Sequence, residues 1–62
     1  MKTIGAEERM EIVMQMLFWI HSRGEDNLQE LSITYISLGY SAEQLLILEK
    51  AATQLYRKYL GD

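Results

Sequence analysis

Apolar residues crowd one stretch of the chain. Between Met10 and Ile20 only Glu11 and Gln15 are polar. On a helical wheel turning about 100° per residue, the apolar arc of this stretch covers roughly 260°. Glu8, Glu11, Gln15 and Ser22 make up the narrow polar strip that is left. The pattern predicts a helix over about 5–23. Ala6, Glu7 and Glu8 place good helix formers and negative charge in its first turn, where the helix dipole favours anions. Arg23 complements the opposite end, and Gly24 stops the helix, since glycine tolerates the left-handed backbone just past a C-terminus.

The segment Gly24-Glu25-Asp26-Asn27 reads as a turn. Asp26 or Asn27 is placed to cap a second helix, with Gln29 or Glu30 completing a capping box. Leu28, Leu31, Tyr35 and Leu38 follow at 3-4-3 spacing, the signature of one helical face. The β-branched and aromatic run Ser32-Ile33-Thr34-Tyr35-Ile36 competes with that reading as a strand, but a lone strand has no partner within so small a helical chain. Gly39 ends the segment at a position expected to need positive φ. Ser41 then caps a third helix over about 42–60, with Gln44 three residues on and Tyr40 and Leu45 at the positions of a hydrophobic staple. Gly61 closes it.

Leu45, Leu48, Ala52, Leu55, Tyr56 and Tyr59 share about one third of the third helix's wheel and form its core-facing stripe. Leu46 and Ile47 fall outside it. The first helix is a different case, because a surface helix needs an apolar stripe only a little over 100° wide. Its excess predicts contact with another subunit. The expected interface is Ile12, Met16, Phe18 and Trp19 on the first helix, joined by Leu46 and Ile47 on the third. The fold class is all-α: one domain over 1–62, long–short–long, assembled as a dimeric helical bundle.

Size strengthens that expectation. A chain of 62 residues buries only about 60% of the surface its unfolded form exposes. Chains this short usually need a disulfide, a metal or oligomerisation to be stable. There is no Cys and a single His, His21, which removes the disulfide and leaves a metal almost no ligands. The lack of Cys fits a reducing compartment. The segment Met1–Arg9 turns acidic before any apolar run, unlike a secretory signal, and no apolar run reaches the ~20 residues a membrane span needs. A cytoplasmic protein without membrane contact is expected.

Candidate chemistry is sparse. Met10, Met14 and Met16 can form an adaptable binding surface, or simply pack in a core. His21 lies on the same side as Met14 and Leu17. It reads as a pH switch or as a ring bonded to a helix-end carbonyl. No base and orienter surround Ser22, Ser32, Ser37 or Ser41 as a nucleophilic centre requires. Glu7, Glu8, Glu11, Glu25 and Asp26 are solvated acids near helix starts and in a turn. Gly5, Gly24, Gly39 and Gly61 are isolated, so no phosphate-cradling loop is present. No enzyme and no cofactor is expected.

Leu38-Gly39-Tyr40-Ser41 and the helical segment 42–48 resemble the turn and recognition helix of helix-turn-helix DNA-binding proteins, over about 20 residues from Leu28 to Leu48. The resemblance implies a dimeric transcription regulator. It departs at Tyr35, four residues before the turn glycine, where that family usually has a small residue. Glu43, Gln44, Ile47 and Glu49 also replace most of the basic and amide side chains that a base-reading helix presents, with Lys50 the one cation in its first half and only Arg57 and Lys58 near its end. A net charge of −3 disfavours nucleic acid as a partner, because phosphate contacts demand a basic patch. The leading expectation is therefore a non-catalytic regulatory or adaptor protein. It would pair with itself, bind another protein, and act as an antagonist of a nucleic-acid-binding protein by covering basic surface.

Overall fold

Three α-helices and the short turns between them account for nearly the whole chain. The computed structural model describes residues 3–61, so residues 1, 2 and 62 of the expected 1–62 unit lie outside the described residues. Helix α1 spans Ala6–Arg23, α2 spans Leu28–Ser37 and α3 spans Ala42–Leu55. A 3₁₀ turn, Glu25–Asn27, leads into α2, and a π turn, Tyr56–Leu60, extends α3. Among the described residues there is no strand, so the β-branched run of α2 folds as helix. Tertiary packing of its apolar face outweighs a local preference of at most about 1 kcal/mol.

Helix α2 runs back along one flank of α1 and is tied to it at both ends. The Trp19 indole N–H donates to the Asn27 carbonyl at 2.8 Å, beside the start of α2. The Tyr40 hydroxyl donates to Glu8 Oε2 at 2.8 Å, just past its end. Glu8 and Trp19 are 11 positions apart in the sequence. That is about 16 Å along the α1 axis and about 20° around it. The ten residues of α2 span about 15 Å. The two anchors therefore match the length of the helix they hold.

Helix α3 returns parallel to α1. Near the two helix starts, the Ile4 backbone N–H donates to Gln44 Oε1 at 2.9 Å. Near the two ends, Arg57 meets Glu25 at 2.6 Å. That pair is largely solvent-exposed, so it contributes at most about 1 kcal/mol. The core lies where the three helices meet: Ile12, Met16 and Ile20 from α1, Leu28 from α2, Leu45, Leu48 and Ala52 from α3, and Ile4 ahead of α1.

Several local expectations change. Asn27 does not cap α2. Its side-chain amide turns back and donates to the Arg23 carbonyl at 2.6 Å, satisfying the end of α1. The 3₁₀ turn makes a separate N-cap for α2 unnecessary, because the chain is already helical when α2 begins. Ser41 does cap α3, its hydroxyl accepting from the Gln44 N–H at 3.4 Å. The Gln44 side chain, expected to complete a capping box, instead holds Ile4. Leu38, Leu55 and Tyr59 are exposed although each was expected on a core face. Leu38 falls beyond the last turn of α2. The π turn carries Tyr59 off the stripe that a continuous α-helix would have kept. Gly61 has an extended backbone at φ −87° and not a left-handed one. A side chain there would lie 3.3 Å from the Tyr56 carbonyl and the Arg57 Cα, so what selects glycine is close approach.

Gly39 has φ +99°, and open space surrounds the position a Cβ would take. Gly39→Ala should therefore cost about 1–2 kcal/mol from backbone strain alone, with Gly39→Asn milder; chemical denaturation measures both. Ser32 is buried, 4% exposed, and its hydroxyl has no hydrogen-bond partner. An unsatisfied buried hydroxyl costs about 1–3 kcal/mol. Ser32→Ala should accordingly leave the fold intact and raise the denaturation midpoint, and a clear drop would show that the hydroxyl is satisfied after all.

Candidate protein-binding surface

The wide apolar arc of α1 divides into two stripes. Ile12, Met16 and Ile20 recur at four-residue spacing and form the core stripe; Met16 is 0% exposed. Met10, Met14 and Phe18 repeat the same spacing on the outer side. They are 69%, 66% and 69% exposed. The structure thus separates the methionines, with Met16 packed inside and Met10 and Met14 on the surface.

The outer stripe lines two adjoining shallow grooves. Ala6, Arg9, Met10, Val13 and Met14 border one. Met14, Leu17, Phe18, His21 and Leu60 border the other. Leu60 reaches this face because the π turn, closed by the Gly61 N–H on the Tyr56 carbonyl, swings the end of the chain toward α1. His21 lies on the rim, its Nδ1 3.2 Å from the Tyr56 hydroxyl. Its partner is thus a tyrosine and not a helix-end carbonyl.

The six expected interface residues are not brought together. Ile12 and Met16 are core residues covered by α2 and α3 and present no surface. Trp19 is half-buried. Its N–H is engaged by Asn27, and the Arg23 guanidinium lies 4.3 Å above its ring, so its first role is to anchor α2. Phe18, Leu46 and Ile47 are exposed. Phe18 belongs to the outer face of α1. Ile47 borders a separate shallow groove with Arg9, Gln44 and Leu48. Leu46 points elsewhere, beside Glu49, Lys50, Thr53, Gln54 and Arg57. Met10 and Met14, named with Met16 as a possible adaptable surface but left out of the expected interface, lie on the outer face, whereas half-buried Leu17 and exposed Leu60 were not singled out for it. The 3- and 4-residue spacing of Met10, Met14 and Leu17 was a usable signal, but the core stripe carries the same signal a half-turn away.

The exposed positions from the start of α3 to its middle include Glu43, Leu46, Ile47 and Lys50, and the Gln44 amide oxygen is taken by Ile4. Among the described residues no group of three His, Asp or Glu side chains can hold a metal ion. No described helix is long and apolar enough to cross a membrane. The architecture is a three-helix unit with an unpartnered apolar face along its longest helix. Comparisons with protein-family models, with curated proteins and with solved structures return no match.

Two phenols link the core flank to pH. The hydrogen bond to the Glu8 carboxylate raises the Tyr40 pKa above the ordinary 10.0, with burial and nearby carboxylates adding to it. Burial raises Tyr35 as well, followed by the Glu11 charge. Both lose their protons less readily in the folded than in the unfolded chain. Their contribution is complete below the ordinary tyrosine pKa and is lost as pH rises through the raised values. Stability should fall above about pH 10, and Tyr40→Phe should flatten that decline. Denaturation midpoints at pH 8 and on either side of that threshold test it.

Proposed function

We propose that this chain is a non-catalytic regulatory or adaptor protein that works by protein–protein binding and pairs with itself through the outer face of α1. The supporting observation is the exposed stripe Met10–Met14–Phe18, which none of the chain's own helices covers. Small monomers rarely leave a contiguous apolar face of this kind in water unless it has a use. Methionine and phenylalanine are suited to such a face. Methionine repacks against varied surfaces, and large aromatics are frequent binding hot spots. The acidic balance of the chain favours a further partner with basic surface, as in an antagonist of a nucleic-acid-binding protein. Charge complementarity of that kind chiefly speeds encounter.

The test is sedimentation at micromolar concentration. The wild type should sediment above monomer mass. Phe18→Glu should weaken association about 30-fold or more, the scale of a hot-spot loss of about 2 kcal/mol, while keeping its helical circular dichroism. A stably folded wild-type monomer at high concentration overturns self-association. Retention of the wild type on heparin at low salt would shift the reading to the helix-turn-helix regulator.

A further inference from the structure

We infer that the occupant of the outer α1 face is a second copy lying antiparallel, with the two-fold axis passing at Met14; this rests on the self-association proposed above. The face is a seam in which Glu7, Met10, Met14, Leu17 and His21 recur at alternating 3- and 4-residue spacing, with Phe18 beside them. That spacing belongs to helices crossing at about 20°, so contact runs along the helix instead of stopping at one crossing point. Both termini of the seam are polar and its middle is apolar, which suits a partner of equal length that ends where α1 ends.

Charge decides the direction. On the seam itself the first turn of α1 contributes Glu7 and the last turn His21, while Glu8 and Arg23 face the α2 flank, on Tyr40 and Trp19. A parallel pair would set acid against acid and align the two helix dipoles unfavourably. An antiparallel pair opposes the two dipoles and keeps the two Glu7 carboxylates apart. With Met14 on the axis, positions equally far before and after it face each other across the interface. Met10 then lies against Phe18 of the second copy, a sulfur–aromatic contact, and Glu7 lies against its His21. The Leu60 side chain stands at one border of the seam and so at opposite borders in the two copies, which leaves the centre clear.

The absence of native cysteine makes the geometry directly testable by single-cysteine oxidation. A disulfide needs Cα atoms within about 7 Å. Met14→Cys should oxidise to a covalent dimer by itself. Glu7→Cys alone should not, because its copy lies about 21 Å away along the helix. An equimolar mixture of Glu7→Cys and His21→Cys should link the two variants to each other. Glu7→Cys linking to itself as readily as Met14→Cys means a parallel pair and overturns the inference. A wild type that sediments as a dimer while neither Met14→Cys nor the mixture links also overturns it, and leaves self-association standing. A monomeric wild type defeats both.

Discussion

The arrangement depends on how α2 is fastened to α1. Two polar anchors on one flank of α1, the Trp19 indole and the Glu8 carboxylate, hold the two ends of α2. Their separation along α1 matches the length of α2, so the shorter helix has one register on the longer. This sets the rotation of α1 about its own axis. Once α2 lies on that flank, the adjacent stripe Ile12–Met16–Ile20 must face inward. Met10–Met14–Phe18 must then face out. The same hydrogen bond that holds Tyr40 also raises its pKa, which couples the anchor to alkaline stability.

Helix α3 completes the core from the other side and shapes the exposed face. Its start is fixed by Ser41 on the Gln44 N–H and by the Gln44 amide on Ile4. Its end departs from α-helical winding at Tyr56, and that change brings Leu60 to the border of the α1 face. A chain of this size has little room for a pocket. It has room for one helix with two apolar sides, of which one is packed in the core and the other is exposed.

Much of the fold was legible in the sequence. The three helices follow from apolar spacing, from Ser41 as a cap, and from Gly24 and Gly39, which both take positive φ. These are local properties, set by a few neighbouring residues and by backbone sterics. The excess of apolar surface on α1 was equally legible, since it is a sum over one helix. The tertiary structure alone decided which half of that excess is core. Two stripes of identical spacing and similar hydrophobicity cannot be ranked by periodicity, and the choice rests on hydrogen bonds between residues 8 and 32 positions apart. For the same reason Ile12 and Met16 looked like interface, and Met16 could not be told apart from Met10 and Met14. Asn27 reaching back to Arg23, Gln44 reaching to Ile4 and the burial of Ser32 likewise depend on which side chains the packed helices bring within reach, a property of contacts in space that no local pattern encodes.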